Sequence, residues 1–104
     1  MVKKRQVKEA GELDIKFEAG EVVVTPAAAG ALESHGHTVA DLLARHQAGD
    51  WGDVSDQLRS VNDRGLAERF NLQSVFVVAE GQRVVVVTNR DRSLTMVHLD
   101  GQGR

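Results

Sequence analysis

The sequence predicts an α+β fold: an N-terminal β-hairpin, then three helices, then a C-terminal three-stranded antiparallel meander. Three observations lead to this prediction. Apolar and polar residues alternate near the N-terminus, cap signals and helical spacing fill the middle of the chain, and valine-rich runs between turn residues fill the last third. The 104 residues fit one domain, which we place at residues 11–100.

The N-terminal part divides into a charged segment and the predicted hairpin. Residues 1–10 contain four basic residues and one acidic residue, a local charge of +3, so we expect a flexible basic tail. Residues 13–18 alternate apolar and polar side chains, as in a half-buried strand. Gly20 suits a type II turn, and Glu21–Val24 would form the second strand. At the other end, we expect residues 101–104 to be disordered.

Three residues that can cap helices divide the middle of the chain. Thr25 precedes a proline, a pair typical of a helix start, and predicts a helix at residues 26–35. Thr38 has an aspartate three positions later, as in a capping box, and predicts a second helix directly afterwards. Ser55 predicts a third helix at residues 56–70.

The meander is predicted from three apolar runs, at residues 75–79, 84–88 and 94–99. The middle run has four consecutive valines, so both faces of that strand are apolar. Because such a strand is normally covered on both sides, we expect helices on one face and the hairpin or a second subunit on the other. A homodimer through the sheet is therefore one expected assembly.

The composition limits the classes of function. Thirteen basic and fifteen acidic residues give a net charge of −2, which does not favour nucleic acid as a partner. The absence of cysteine excludes disulfides and thiolate metal sites and fits a reducing compartment. No apolar run approaches the roughly 20 residues of a membrane helix. We expect a soluble cytoplasmic protein without membrane contact, metal or cofactor.

The densest group of polar and aromatic residues lies at residues 44–53, with His46, Asp50, Trp51 and Asp53. A histidine oriented by an aspartate is the usual general-base pair, but no nucleophile accompanies it here. The structural interpretation is that the aspartates bond loop amides, the tryptophan fills a gap, and the histidine completes the apolar stripe of the second helix.

A second group, Arg90, Asp91 and Arg92, lies in the turn between the last two predicted strands. Two arginines in a turn can hold a phosphate or carboxylate through paired hydrogen bonds. This turn is the better candidate for contact with another molecule. His98 on the final strand is expected at the surface or at an edge.

Several segments together resemble a known family. They are VVTP at 23–26, ARHQAGDWGD at 44–53 and VVVVTNRDRSLTMVHL at 84–99. They are similar to a small family of uncharacterised proteins from bacterial plasmids, phages and mobile elements, whose members are often labelled as modification subunits of type I restriction systems. This chain lacks the glycine-rich cofactor loop and the Asn-Pro-Pro-aromatic motif that such a methyltransferase needs.

The leading hypothesis is a non-enzymatic accessory or regulatory protein of a mobile genetic element that acts by binding another macromolecule, most simply a protein. The predicted contact residues are Trp51, Asp53, Arg90, Asp91 and Arg92. Nucleic acid is a weaker candidate because of the acidic net charge.

The alternative hypothesis is a small ribonuclease similar to the RelE-type toxins, in which basic residues and a histidine act on RNA. Its catalytic residues would be His46, Arg90, Arg92 and His98. The net charge of −2 counts against it, since an RNA-cleaving protein must neutralise phosphates.

Overall fold

The computed structural model describes residues 15–100, which form three helices and a four-stranded mixed sheet. The strands are β1 (Glu21–Val24), β2 (Leu72–Ala79), β3 (Gln82–Thr88) and β4 (Leu94–Leu99). The helices α1 (Pro26–Ser34), α2 (Val39–Gln47) and α3 (Asp56–Glu68) lie between β1 and β2 in the chain. The tails predicted at residues 1–10 and 101–104 lie outside the described residues.

The predicted fold class is wrong, because the sheet is not a hairpin plus a separate three-stranded meander. The strand order is β1-β4-β3-β2, with β1 parallel to β4 and the other two pairs antiparallel. The N–H of Glu21 donates to the carbonyl of Ser93, and the N–H of Thr25 donates to that of Val97, at 2.9 and 3.0 Å. A strand near the start of the chain therefore pairs with the last one.

The segment before β1 shows why the hairpin does not form. Residues 15–20 contain no strand, and Phe17 and Ala19 both turn into the interior, each 8% exposed. Gly20 adopts φ +68°, and an added Cβ would collide with the backbone of Ser93. Gly20 therefore permits a close approach to the turn before β4.

The three helices begin where the cap residues predict. Thr25, Thr38 and Ser55 each accept a hydrogen bond from the backbone N–H three residues later, at 3.2, 3.0 and 3.1 Å. Each bond satisfies an amide that a helix start leaves unpaired, which contributes about 1 kcal/mol. Local sequence is enough to locate these starts.

All three helices pack on the same face of the sheet. The main apolar cluster joins Ala28, Leu32, Leu42, Phe76, Val78, Val84, Val86 and Val97. A second cluster joins Phe17, Trp51 and Leu72, with Leu66 of α3 against it. Successive strand residues point to opposite faces. The other face, here called the helix-free face, is formed by Val23, Val75, Val77, Val85, Val87 and Met96, none of which belongs to either cluster.

The outer edge of β2 is occupied by polar groups from elsewhere in the chain. The Asn62 side chain donates to the carbonyl of Gln73 at 2.8 Å and accepts from its N–H at 3.1 Å, as a neighbouring strand would. The N–H of Val75 donates to the carbonyl of Trp51 at 3.0 Å. The carbonyl of Val75 accepts from the N–H of Asp53 at 2.6 Å. Together these bonds protect part of an edge that would otherwise be free to pair with another chain.

Gly52 and Gly36 allow a matched test of this edge contact. Both have a left-handed backbone, with φ +75° and +76°, but only at Gly52 would a Cβ collide with the carbonyl of Val75. Gly36→Ala should lower the free energy of unfolding by about 1 kcal/mol, from backbone strain alone. Gly52→Ala should cost about 2 kcal/mol more because of the collision. Urea denaturation measures both, and equal losses would contradict the contact.

Candidate functional site

The stretch at residues 44–53 folds into the end of α2 and an ordered loop. Arg45 Nε donates to Asp50 Oδ2 at 2.7 Å, and the guanidinium lies 4.4 Å from the centre of the Phe76 ring. The other oxygen of Asp50 accepts from the N–H of Gly52 at 3.1 Å. The hydrogen bond from Arg45 is the main cause that lowers the pKa of the Asp50 carboxyl. Asp50 therefore shapes the loop and does not orient His46.

His46 is fully buried and connects α2 to the sheet. Its Nδ1 lies 2.6 Å from Ser74 Oγ, and its Nε2 lies 2.9 Å from Thr88 Oγ1. Thr88 Oγ1 is 2.6 Å from Thr95 Oγ1, which donates to the carbonyl of Ala19 at 2.7 Å. We call these five residues the His46 chain.

The donors in the His46 chain follow from its last acceptor. The carbonyl of Ala19 can only accept, so Thr95 donates its single proton there and must accept from Thr88. Thr88 then has no proton left for His46, so Nε2 of His46 carries the hydrogen and Nδ1 accepts from Ser74. The chain therefore fixes one neutral tautomer of the imidazole.

Burial, with a smaller contribution from the charge of Arg92, lowers the pKa of His46 to about 4. The imidazole is therefore neutral near pH 7, and a group with this pKa is a weak general base there. The pKa of this histidine in the folded protein lies below its value of about 6.5 in the unfolded chain. Its contribution to the free energy of unfolding is therefore complete above about pH 6.5. That contribution, about 3 kcal/mol, is lost as the pH falls from 6.5 towards 4.

Trp51 is 1% exposed, so the prediction that it is an exposed contact residue is wrong. Its ring stacks on Phe17 with centroids 6.2 Å apart, and its Nε1–H donates to Asp63 Oδ1 at 2.9 Å. The indole thus fills the space between α3 and the sheet, with its one donor satisfied by α3.

Asp53 is exposed, as expected of a contact residue, but its carboxylate has an internal partner. Its Oδ2 lies 3.1 Å from Arg83 Nη1 of β3. Asp53 also lines a shallow groove of about 390 Å³ beside the β2 edge, together with Arg45, Asp50, Gly52, Val75, Phe76 and Val77. The groove holds opposite charges that already pair with each other, so it offers no free charge of one sign.

The turn at residues 90–92 divides into an exposed part and a buried part. Arg90 and Asp91 are exposed. Asp91 Oδ1 accepts from the N–H and the hydroxyl of Ser93 at 3.1 and 2.6 Å, and these bonds lower the pKa of its carboxyl. Of the three predicted contact residues in the turn, Arg90 and Asp91 are accessible.

Arg92 is 8% exposed, which contradicts its prediction as an exposed contact. Its guanidinium donates to the carbonyls of Phe70, Asn89 and Gly65 at 2.7, 2.9 and 2.8 Å. Two of these carbonyls lie at or just after the C-terminal end of α3, where a cation complements the helix dipole. Arg92 thus holds the end of α3 against the β3–β4 turn.

The four residues of the ribonuclease hypothesis are not brought together. His46 and Arg92 lie in the interior, on the side of the sheet that carries the helices, whereas Arg90 is exposed. His98 follows Val97 and precedes Leu99, which both pack towards the helices, so His98 lies on the helix-free face. Since His46 and His98 are on opposite faces of the sheet, they cannot act on one substrate.

The helix-free face exposes some of its apolar side chains. Val77 and Val23 are 51% and 37% exposed, and Val87, Met96 and His98 are half-buried, whereas Val75 and Val85 are buried. Sequence reasoning did not name these valines and the methionine as site residues. The signal was present in the four consecutive valines of β3, which indicate a strand with two apolar faces.

No family model, curated protein or solved structure matches the chain. Within residues 15–100, no helix is long and apolar enough to cross a membrane. The same part of the chain contains no group of three histidine or acidic side chains placed to hold a metal ion.

Arg92 and Arg90 give a matched test of the structural role of the turn. Arg92→Ala removes three hydrogen bonds to carbonyls, one of them buried, and should lower the free energy of unfolding by about 3 kcal/mol. Arg90→Ala changes an exposed side chain and should cost less than about 0.5 kcal/mol. Denaturant unfolding measures both. An Arg92→Ala protein as stable as the Arg90→Ala protein would show that Arg92 does not hold α3.

Proposed function

We propose that the protein is a non-enzymatic binding module that contacts another protein chain through the helix-free face of its sheet. The resemblance in its sequence implies the setting, which is an accessory or regulatory role in a mobile genetic element. The observation that carries the proposal is the apolar character of this face, together with the burial of His46, Trp51 and Arg92 within the fold.

The chemistry of the face favours a protein partner. Val23 and Val77 on the two outer strands are exposed, and Val87 and Met96 on the central strands are half-buried. Exposed apolar side chains of this kind are typical of protein contacts. Its charged rim residues, Glu21, Arg83 and Asp100, carry both signs. A nucleic-acid surface would need an excess of lysine and arginine.

The distribution of reactive groups favours binding over catalysis. His46 is neutral and fully hydrogen-bonded, and Arg92 is engaged with three carbonyls. A catalytic site needs its acid, base or nucleophile within reach of one substrate. Here two of the groups that could serve those roles, His46 and Arg92, hold elements of the fold together.

Site-specific photo-crosslinking tests the proposal in the native host. A photoreactive residue replaces Val77 on the helix-free face or, as the control, Val61 on α3, since the two valines are similarly exposed at 51% and 41%. We expect covalent adducts to a protein chain, either another protein or a second copy, from position 77 and not from position 61.

Two results would count against the proposal. Adducts of equal yield from both positions, or from neither, would mean that the helix-free face is not a contact surface. Adducts to nucleic acid from position 77 would mean that the face binds a partner of the wrong class.

A further inference from the structure

We infer that the outer edge of β1 is a pairing site for a second copy of this chain, which adds its own β1 antiparallel about a two-fold axis at Val23. The pairing joins two four-stranded sheets into one continuous sheet. It concerns an edge of the sheet and not the helix-free face, so it does not rest on the proposed function. The main-chain hydrogen bonding of β1 and the charges at its two ends carry the inference.

The hydrogen bonds between β1 and the last strand show which groups of β1 point outwards. The N–H groups of Glu21 and Thr25 donate to carbonyls of β4 and of the turn before it. The main-chain groups of successive strand residues alternate between the two sides of a strand. Val22 and Val24 therefore direct their N–H and carbonyl groups away from β4. Within residues 15–100, no hydrogen bond reaches these outward groups.

The opposite edge of the sheet is covered at the corresponding positions. On β2, the Asn62 side chain occupies the outward groups of Gln73, and the loop at residues 51–53 occupies those of Val75. An edge without such cover offers a row of donors and acceptors that a further strand can complete. The chemistry of β1 thus calls for an extended polypeptide as its partner.

A second copy fits the β1 edge in one register. With the axis at Val23, Val22 of each copy lies opposite Val24 of the other, and each of these pairs exchanges both of its main-chain hydrogen bonds. The two Val23 side chains, each 37% exposed, meet at the axis. The Cα atoms of such a non-hydrogen-bonded pair lie about 4.5 Å apart, so the contact removes apolar surface from water.

Charge complementarity favours a second copy over an unrelated strand. In the same register, Glu21 lies opposite Thr25 of the other copy, which is the N-cap of α1. The first turn of α1 contains no acidic residue, although the N-terminal end of a helix favours negative charge. Glu21 of the second copy supplies that charge. The two Glu21 residues lie about 14 Å apart along the strands, so they repel each other little.

Disulfide formation tests the register, because the chain has no cysteine of its own. Val23→Cys puts two thiols at the axis, where the Cα separation falls in the range of about 4.4–6.8 Å that a disulfide needs. The control is Glu21→Cys, which is also exposed on β1 but lies about 14 Å from its counterpart. Under mild oxidation, we expect Val23→Cys to form a covalent dimer at least about tenfold faster than Glu21→Cys.

A second pair of variants tests the main-chain hydrogen bonds themselves. Val22→Pro removes the outward N–H, whereas Val22→Ala shortens the same side chain and keeps that N–H. The symmetry of the dimer makes the loss occur twice, so Val22→Pro should self-associate at least about tenfold more weakly than Val22→Ala. The contact is small and the association weak, so sedimentation equilibrium should extend to about 500 µM. Circular dichroism verifies that both variants are folded.

Three results would overturn the pairing. They are equal rates of disulfide formation from the two cysteine positions, no covalent dimer from Val23→Cys, and equal self-association of the two Val22 variants. Another protein, or the segment before Ile15, covering β1 would produce the second result. Photo-crosslinking from Val77 on β2, at the other edge of the sheet, reports on the helix-free face separately, so either proposal can fail alone.

Discussion

The fold depends on the His46 chain more than on any other polar interaction. A single imidazole on α2 reaches Ser74 on β2 and Thr88 on β3, and the chain continues through Thr95 on β4 to the carbonyl of Ala19 before β1. It therefore joins a helix, three strands and the segment leading into the fourth. Buried polar groups stabilise a fold when each has a partner, and each bond here leads to the next until a carbonyl ends the series.

The stretch at residues 44–53 and the turn at residues 90–92 act on the same interior. Gly52 lets the loop pair with the edge of β2, Trp51 fills the space beside α3, and Arg92 holds the end of that helix. These residues belong to the two segments that the sequence marked as candidate sites, and their contacts account for them as parts of the fold.

Sequence could predict the local features and not the long-range ones. The three helix starts follow from Thr25, Thr38 and Ser55, because a cap acts within three residues. The parallel pairing of β1 with β4 joins residues about seventy positions apart, and alternation alone does not specify a partner. The burial of Arg92 was missed for a related reason, since arginine in a turn is normally exposed. Two of its three carbonyl partners, Gly65 and Phe70, lie more than twenty positions earlier, on α3 and just after it. The apolar face could be anticipated from the four valines of β3, but the exposure of Val23 and Val77 on the outer strands could not.

The most direct test of the central claim is a nitrogen NMR titration of the His46 ring, with His46→Gln used to assign its signals. We predict a neutral ring with its hydrogen on Nε2 that stays unprotonated until the pH approaches about 4. A ring that titrates near about 6.5, the value of an unburied histidine, would contradict the account. A neutral ring with its hydrogen on Nδ1 would do the same, because the chain of donors from Ser74 to Ala19 would then have to run differently.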